Sequence, residues 1–403
     1  MKRPLCLFLC LAMLLSLAAC GGKPAGEEHT TPTPTDTTHH KLGVIVYNTG
    51  DEEVIGFREY LQGYIQNNFT MVEFLYSDSI RSREEELEFI RSACEQGVEG
   101  FLSFLSQDLQ AEVALCGEYG AYYLLASGTV SDEDFNAAAD SPWFLGMFGP
   151  GEAFEYQAGA DMARYFLREQ TGSRYFVLSG GGGMGNAMHY QRTLGILDTL
   201  SHAYGVSLGR DRQELAQATE PVTLENGKFT LTVCPGYVSR EEYLERAEET
   251  WAAGTWDAVL SVLPPAEMTR VTGDTPMGVV DSYNTRNLQL VNDGSLRFVV
   301  GKYSSLAGPA FALMLHAVTG YAEDFRDKGR AIRVTQGFWV SDSREDYVEK
   351  YGLSSSAAMN AYNFDDLSRV IRIYNPKATL NELVALAEAC SYRAVQARRG
   401  GVS

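Results

Sequence analysis

The pattern of apolar and polar positions becomes regular at Leu42. From there, short apolar runs alternate with longer stretches in which apolar residues recur at helical spacing, and polar or glycine-containing loops separate them. This alternation is typical of parallel strands that are connected by crossover helices. We therefore predict an α/β fold built from repeated β-α-β units.

The predicted strands fall into two groups along the chain. The first group covers 42–47, 72–76, 97–103 and 121–126. After 143–150 the alternation begins again, with a helix over 152–168, a strand over 175–179, a glycine loop and a helix from Asn186. Asn226-Gly227 lies between two short apolar runs and favours the positive φ angles of a type I′ turn, so we predict a hairpin there.

The two groups of strands share an internal sequence similarity. Gly97–Ser103 resembles Gly254–Ser261, because each follows a long helical stretch and enters an apolar run. This similarity indicates two similar α/β lobes. The 403 residues, 45% of them hydrophobic, supply enough apolar material for two such lobes.

The start of the chain has a different pattern. Lys2 and Arg3 precede an apolar run over 5–17, which is too short to span a bilayer stably and reads as a signal peptide over residues 1–19. The run closes on Leu-Ala-Ala-Cys-Gly, which resembles the lipobox of bacterial lipoproteins and would leave Cys20 as the lipidated N-terminus. The alternative is an ordinary secretory signal in which Cys20 is incidental.

The segment 20–41 joins this anchor to the folded part. It is rich in Gly, Pro, Thr and Glu, so we predict a disordered linker. No second segment is long and apolar enough to cross a membrane. We therefore expect an extracytoplasmic protein that is anchored to the cell membrane by lipid alone.

Charge and cysteine content narrow the classes of partner. The formal charge of −19 becomes −21 without Lys2 and Arg3, which makes nucleic acid an improbable partner. The cysteines beyond the anchor have no CxxC or CxxH spacing, which argues against zinc and redox motifs; they are Cys94, Cys116, Cys234 and Cys390. Either Cys94 pairs with Cys116, or all four are separate thiols, and the second reading is favoured.

Five segments carry a resemblance to a known family. They are the helix Phe57–Gly63, the stretch GVEGFLSFLSQD that ends at Asp108, GNAMHYQRTLG (185–195), GVVD (278–281) and GKYSSLAG (301–308). Over about 42–352 the chain resembles the type 1 periplasmic binding proteins of the ribose-binding-protein-like group. The resemblance implies two Rossmann-like lobes with parallel sheets, joined by a three-crossing hinge near Gly149, Lys302 and Arg330.

The resemblance also implies how the lobes divide the chain. The N-terminal lobe would comprise 42–148 and 303–328, and the C-terminal lobe 149–302 and 329–352. The tail, 353–403, lies outside the resemblance. In it, Thr379 and Glu382 form a potential capping box before one apolar helical stripe, which packs on a lobe or, alternatively, binds a partner.

No spacing typical of catalysis or of a cofactor site occurs, so we predict a protein that is not an enzyme and that needs no cofactor or metal. The glycine run 180–185 follows a strand and precedes a helix, as anion-binding loops do, but it lacks the Lys-Ser/Thr of a Walker loop. The resemblance implies that this loop rims the ligand cleft; the alternative is a plain turn, and a nucleotide site is not favoured.

The resemblance suggests the ligand-binding residues. Asp281 ends a strand and aligns with an aspartate that accepts hydrogen bonds from sugar hydroxyls, although it could instead cap the next turn. Phe57 aligns with an aromatic that stacks on a sugar ring, and Asn48 lies in the preceding loop. Lys302 lies at a hinge crossing. Ser127 and Tyr190 stand where sugar-binding relatives have an aspartate and an arginine. Arg192 and His189 are interpreted as structural.

The predicted function follows from these parts. We expect a solute-binding lipoprotein that closes two lobes on a small ligand and delivers it to an ABC permease. The rival is a sensor with the same fold that signals to a chemoreceptor or a sensor kinase. Lys302 would be a buried cation. If Lys302 has no partner within the protein, we expect an acidic ligand. If Asp281 neutralises Lys302, we expect a sugar-like ligand.

Overall fold

The structure is a computed structural model that describes residues 32–184, 186–208, 211–236, 240–264, 268–355 and 361–400. The predicted signal peptide and Cys20 lie outside the described residues. From Thr35 onward the chain forms one compact unit.

The segment that ends at Gly149 alternates strands with helices. Its strands are β1 (His40–Val46), β2 (Val72–Ser79), β3 (Gly100–Ser103), β4 (Tyr122–Leu125) and β5 (Phe144–Gly149). Its helices are α1 (Glu52–Arg58), continued by a π-helical stretch (Glu59–Ile65) and a last turn (Gln66–Asn68), α2 (Arg83–Glu95), α3 (Leu109–Tyr119) and α4 (Asp132–Ala138). A polar side chain caps the start of each of these four helices by accepting a backbone N–H: Asp51, Ser82, Asp108 and Ser131.

The next segment repeats this alternation. Its strands are β6 (Arg174–Ser179), β7 (Val222–Glu225), β8 (Thr230–Pro235), β9 (Ala258–Ser261), β10 (Met277–Ser282) and β11 (Leu296–Lys302). Its helices are α5 (Glu152–Arg168), α6 (Gly181–Met184), α7 (Ala187–Tyr204), α8 (Arg212–Ala216), α9 (Arg240–Ala252), α10 (Thr269–Thr272) and α11 (Thr285–Asn292).

The remaining segment returns to both groups and then adds a tail. It comprises a 3₁₀ turn (Ser304–Ala307), α12 (Gly308–His316) with two short turns after it (Ala317–Tyr321 and Ala322–Phe325), β12 (Ile332–Thr335), β13 (Trp339–Ser341) and α13 (Arg344–Ser355). The tail helices are α14 (Phe364–Val370), α15 (Leu380–Glu388) and α16 (Tyr392–Gly400).

The strands form two sheets, each at the centre of a lobe. The sheet of the first lobe has the order β2-β1-β3-β4-β5-β12, and all its pairs are parallel. The sheet of the second lobe has the order β7-β8-β6-β9-β10-β11-β13, with antiparallel strands at its two edges. This arrangement confirms the predicted α/β class with two Rossmann-like lobes, and the predicted strands fall on observed ones.

The chain passes between the two sheets three times, as predicted. The passages follow Gly149, Lys302 and Thr335. The third lies later than the expected position near Arg330, because Ile332–Thr335 pairs in parallel with Gly146–Gly149 and extends the first sheet. Ile332 and Val334 are buried while the other two residues of the strand are exposed, so this strand belongs to the core of the first lobe.

The predicted hairpin is present, but its turn is not of type I′. Val222–Glu225 pairs with Thr230–Val233 in antiparallel register, which leaves four residues in the loop. Gly227 has a φ of 75°, whereas Asn226 is not among the residues with positive φ. The Asn226 side chain instead accepts the backbone N–H groups of Lys228 and Phe229.

Two glycines bring α5 and α7 into close contact in the second lobe. A Cβ atom on Gly159 would lie 1.9 Å from the Arg192 carbonyl oxygen, and one on Gly195 would lie 2.0 Å from that of Tyr156. Only glycine fits at these two positions. The helices therefore pack backbone to backbone, and this places Arg192 beside Glu155.

The tail packs on the first lobe. Thr379 and Glu382 form the predicted capping box, and Leu383 and Ala387 of α15 are buried where this helix meets α12 and β12. The cysteines Cys94, Cys116, Cys234 and Cys390 are all free thiols, which agrees with the favoured reading. In the described part of the chain, we find no helix with the length and hydropathy needed to cross a membrane.

Candidate functional site

An ion pair joins the two lobes at the second passage. Lys302 is the last residue of β11, and its Nζ lies 3.2 Å from Oε1 of Glu53 in the first turn of α1. Only 5% of the Lys302 side chain and 15% of the Glu53 side chain are exposed. Burial raises the pKa of Glu53, and the charge of Lys302 opposes this shift. The partner of Lys302 is therefore Glu53, and neither of the two predicted partners is needed.

Asp281 lies near the carboxyl end of β10, at the point where ligands of open α/β sheets collect. Its Oδ2 accepts the side-chain amide of Asn287 at 2.6 Å and that of Asn284 at 3.4 Å. Burial, together with the nearby carboxylates of Asp51 and Glu53, raises the pKa of Asp281 to about 7. The half-buried carboxyl group of Asp281, on the second lobe, therefore lies close to the negatively charged side chains of Asp51 and Glu53 on the first lobe.

Asp51 supplies part of that negative charge from the start of α1. Its Oδ1 accepts the backbone N–H of Glu53 at 2.9 Å and the hydroxyl of Tyr47 at 3.1 Å. Burial raises its pKa. The capping residue of α1 therefore also lies at the meeting of the lobes, because α1 packs against β10.

A second ion pair lies within the second lobe. Nε of Arg192 on α7 donates to Oε2 of Glu155 on α5 at 2.5 Å, and both side chains are buried. Burial by itself would lower the pKa of Arg192, but the carboxylate of Glu155 reverses this shift. Glu53 and Asp281 also raise the pKa of Arg192. The guanidinium therefore belongs to one cluster of charges with Lys302, Glu53, Asp51 and Asp281. The other oxygen of Glu155, Oε1, is buried and has no hydrogen-bond partner.

His189 lies one helical turn before Arg192. A Cβ atom on Gly180 would be 2.7 Å from its Nδ1, so the ring packs on the end of β6. Burial lowers the pKa of His189 to about 3, and the charges of Arg192 and Lys302 act in the same direction. The ring is therefore neutral at physiological pH, and its buried Nδ1 has no partner.

Ser127 follows β4 in the first lobe. It is 5% exposed, and its Oγ is buried without a hydrogen-bond partner. The next residue, Gly128, packs on the first passage, where a Cβ atom on Gly149 would lie 2.4 Å from the Gly128 carbonyl oxygen. Ser127 thus brings an unsatisfied hydroxyl close to the hinge.

Three of the other predicted residues have local partners. Oδ1 of Asn48 accepts the backbone N–H of Gly50, and Asn48 is exposed. Phe57 is 2% exposed and packs against Phe104 with ring centroids 4.5 Å apart, so in this arrangement its ring is part of the core rather than open to a ligand. Tyr190 is half-buried against the core of the second lobe. Cys20 lies outside the described residues.

The glycine run has a packing role in the part that is described. Gly181 has a φ of 64°, and Cβ atoms on Gly181 and Gly182 would lie 2.5 Å from the carbonyl oxygens of Ala218 and Gln217. The backbone N–H of Gly182 donates to the carbonyl of Ala218 at 3.2 Å. These glycines allow the 217–218 segment to approach, and Gly185 lies outside the described residues.

Sequence reasoning missed several residues of the cluster: Tyr47, Asp51, Glu53 and Glu155. Two signals could have found them. The acidic run Asp51-Glu52-Glu53 follows the first strand, and Glu155 lies in the first turn of the helix after the first passage. His189 and Arg192 were noted in the sequence but interpreted as structural.

The cluster has more acid than base. Lys302 and Arg192 each pair with one carboxylate, and Asp51 and Asp281 remain without a cation in an ion pair. No group of three or more His, Cys, Asp or Glu side chains that could hold a metal ion occurs among the described residues. The arrangement of carboxylates and amides is suited to binding a small molecule through hydrogen bonds.

A separate groove of about 760 Å³ lies on the second lobe, along α5 and α7. Its lining includes Tyr156, Asp198 and His202 and none of the predicted site residues. Asp198 already accepts hydrogen bonds from Tyr156 and Arg212, so the polar groups of this groove are largely satisfied. The groove is therefore a weaker candidate than the meeting of the lobes.

No protein-family model and no curated protein sequence matches this chain. Solved structures do match. One is the periplasmic binding protein of the arabinose ABC transporter from Shewanella sp. ANA-3, bound to L-arabinofuranose: it is 16% identical, has a TM-score of 0.56, and the match covers 77% of this chain and 94% of that one.

Two further structures give a similar result. The ABC transporter solute binding protein from Bacillus halodurans C-125, with bound myo-inositol, is 14% identical with a TM-score of 0.55, covering 79% of this chain and 99% of that chain. A galactofuranose binding protein is 12% identical with a TM-score of 0.58, covering 79% and 100%. These similarities show that the chain has the type 1 periplasmic binding protein fold.

Proposed function

We propose that this chain is an extracytoplasmic solute-binding lipoprotein that captures a small polar molecule between its lobes and delivers it to an ABC permease. The fold supports this role, since the similar solved structures are named as binding proteins of ABC transporters or as sugar-binding proteins. The lipobox-like start of the sequence supports the anchor. Ligand contacts on both lobes would stabilise one lobe arrangement over the others.

The observation that carries the proposal is a set of unsatisfied polar atoms on both lobes. Ser127 Oγ lies on the first lobe, and Glu155 Oε1 and His189 Nδ1 lie on the second. A buried polar atom without a partner costs about 1–3 kcal/mol. Other atoms in this condition occur elsewhere in the described residues, but these three lie beside the hinge or on the helices that carry the buried charges. A ligand that carries hydroxyl or amino groups would supply the missing hydrogen bonds.

The charges of the cluster indicate the class of ligand. The expectation of an acidic ligand depended on an unpaired Lys302, and Lys302 instead lies 3.2 Å from Glu53. Arg192 is also occupied, at 2.5 Å from Glu155. An anion would therefore meet the surplus carboxylates Asp51 and Asp281, whereas hydroxyl or ammonium donors would bind to them. We infer a neutral or cationic ligand rich in hydrogen-bond donors.

A thermal-shift screen tests this function. The compounds are L-arabinose, myo-inositol, D-galactose, D-glucosamine, D-glucuronate and glucose 6-phosphate, each with the wild-type chain. A ligand at 100 times its Kd adds about 2.7 kcal/mol to the free energy of unfolding, which raises the Tm measurably. We expect a shift with at least one neutral or amino compound and none with the two anions.

Variants connect the shift to the proposed site. Ser127→Ala and Asp281→Asn should abolish or reduce the shift, and the exposed Glu345→Ala, on α13, should leave it unchanged. A shift that all three variants retain would place the ligand elsewhere. A shift with the anions alone would contradict the charge argument, and the absence of any shift would count against capture of solutes of this class.

The anchor needs its own test. Cys20→Ala should abolish incorporation of radiolabelled fatty acid and release the chain from the membrane or leave it as an unprocessed precursor. The buried Cys116→Ala is the control and should leave the labelling unchanged. Labelling of the Cys20→Ala chain would refute the lipoprotein assignment.

A further inference from the structure

We propose that the C-terminal tail is an intramolecular brace that spans the hinge and stabilises the lobe arrangement seen here. The proposal concerns the hinge alone, so it stands whichever solute the protein binds. It rests on contacts that the tail makes with the first lobe, with two of the three passages and with the second lobe.

The first part of the tail is attached to the first lobe. The Tyr60 hydroxyl donates to the Tyr362 carbonyl at 2.7 Å, and His316 Nε2 lies 2.8 Å from the carbonyl oxygen of Val370. The rings of Phe69 and Phe364 pack with centroids 5.0 Å apart. The helices α14 and α15 also pack on α12. This part of the tail therefore moves with the first lobe.

The middle of the tail is bonded to the hinge. The buried carbonyl of Cys390 accepts the Tyr303 hydroxyl and the Trp339 indole N–H, both at 2.8 Å. Tyr303 follows the second passage and Trp339 follows the third, and their rings stack with centroids 4.0 Å apart. The backbone N–H of Gly337, within the third passage, lies 3.3 Å from the Cys390 sulfur. One tail residue thus holds two passages together.

The last helix of the tail contacts the second lobe. The Tyr392 hydroxyl donates to Glu349 on α13, and Gln396 Nε2 donates to the same carboxylate at 2.9 Å. The Tyr392 ring packs edge-on against Trp339, with centroids 5.2 Å apart, and Lys350 Nζ lies 5.1 Å from its centre. The partners of this helix belong to β13 and α13, on the side of the second sheet.

The last helix is also tied back to the part of the tail on the first lobe. Arg399 forms an ion pair with Asp366 of α14, and Arg398 donates to the carbonyl of Ala361 at 3.0 Å. The tail therefore forms a continuous connection from the first lobe, over the hinge, to the second lobe. A rotation of the lobes must break or shift some of these contacts, so the tail adds to the free-energy difference between lobe arrangements.

Hydrogen–deuterium exchange of the full-length chain, without ligand, tests this. Tyr392→Ala removes the contacts with Glu349, Trp339 and Lys350, and the matched control is Tyr119→Ala, a tyrosine on α3 that is 43% exposed. We expect roughly threefold to tenfold faster exchange in Tyr392→Ala, as for the loss of one or two hydrogen bonds, in peptides of the hinge (296–306 and 336–341) and of the 47–53 segment of the first lobe, which meets the second lobe through the Glu53–Lys302 ion pair. Tyr119→Ala should leave these peptides unchanged.

Exchange at 47–53 distinguishes a brace from a local packing contact, because this segment responds to the lobe arrangement. Faster exchange confined to the tail helices and the hinge, with 47–53 as in wild type, would overturn the proposal. Should Tyr392→Ala fail to fold, Tyr303→Phe serves, since it removes only the hydroxyl that binds the Cys390 carbonyl. The same comparison applies to it, and wild-type exchange at 47–53 would again overturn the proposal.

Discussion

Two regions of the molecule carry closely spaced carboxyl groups, and they differ in how these groups are satisfied. In the first lobe, Glu86 and Glu112 are fully buried beneath the 104–108 loop. Glu112 accepts the Ser106 hydroxyl and the backbone N–H groups of Gln107 and Asp108, at 2.6–2.8 Å. Glu86 accepts the N–H of Gln107 at 3.1 Å and the Tyr123 hydroxyl at 3.2 Å. The protein itself completes the hydrogen bonding of this pair.

The polar groups near the meeting of the lobes are satisfied only in part. Asp51 and Asp281 each accept hydrogen bonds from residues of their own lobe. Ser127 and Glu155, in contrast, each have a buried oxygen without a partner. Burial raises the pKa of Glu86 as it raises that of Asp281, so a raised pKa does not distinguish the regions. The completeness of the hydrogen bonding does. A satisfied pair stabilises the fold, whereas unsatisfied atoms indicate a place for a ligand.

The largest expected effect is on the satisfied pair. Glu112→Ala should lower the free energy of unfolding by about 3–5 kcal/mol, because it leaves buried donors without an acceptor. Urea denaturation measures this. The control is Glu118→Ala, at an exposed position on the same helix, which should change the free energy of unfolding by about 0.5 kcal/mol or less. A loss below about 1 kcal/mol for Glu112→Ala would mean that these hydrogen bonds do not stabilise the loop.

The Lys302–Glu53 pair should give the next largest effect. Lys302→Met leaves Glu53 without its partner and should cost about 2–4 kcal/mol at pH 7.5. Because burial raises the pKa of Glu53, protonation relieves this cost, and the deficit should shrink as the pH falls towards 5. Denaturation across this pH range measures it. The double variant Lys302→Met with Glu53→Gln should recover part of the loss, and a deficit independent of pH would contradict the ion pair.

Asp281→Asn should have a smaller effect of opposite sign. With a pKa of about 7 in the native state and an ordinary value when unfolded, Asp281 makes the native state bind the extra proton between about pH 4 and 7. The stability of the wild type therefore rises as the pH falls through 7. At pH 8 the variant should be more stable by about 1–2 kcal/mol, and the difference should vanish near pH 4.

Thermal unfolding of both chains at pH 4, 6 and 8 checks this prediction. The matched control is Asp293→Asn, the same substitution at an exposed position just after α11. That variant should show no such dependence on pH. Equal stability of wild type and Asp281→Asn at pH 8 would show that the carboxylate is not under strain between the lobes.

The smallest expected effect compares two buried serines. The Ser103 hydroxyl donates to the Leu105 carbonyl at 2.6 Å, whereas the Ser127 hydroxyl has no partner. Ser103→Ala should lower the free energy of unfolding by about 1–2 kcal/mol, whereas Ser127→Ala should raise it by up to about 1 kcal/mol, because the substitution removes a hydroxyl that is buried without a partner. Urea denaturation measures both. Equal losses would mean that the Ser127 hydroxyl is satisfied after all.

The alternation of apolar runs predicted the fold well, because each strand and helix is encoded over a few adjacent residues. The predicted helix over 152–168 matches Glu152–Arg168, and the predicted capping box at Thr379 is present. The third passage was misplaced because β12 is short and pairs only with β5. A four-residue strand at an edge carries too little pattern to show to which sheet it belongs.

The family resemblance selected Asp281, Lys302 and Ser127, and each of them lies at or just after the carboxyl end of a strand. Whether they bind a ligand stays a prediction. The sequence analysis also selected Asn48, whose side chain closes its own turn, and Phe57, whose ring is buried. A strand-end position specifies where a residue lies, but it does not specify what its side chain contacts.

The sequence by itself determined the α/β class, the division into two lobes and the caps of the helices, because these depend on periodicity and on hydrogen bonds between near neighbours. Only the tertiary structure decided which charges meet. Lys302 pairs with Glu53, 249 positions away, and Arg192 pairs with Glu155 because two glycines bring α5 and α7 together. These ion pairs depend on how the lobes and helices pack. A local sequence pattern cannot show which residues that are distant in the sequence become neighbours in the fold.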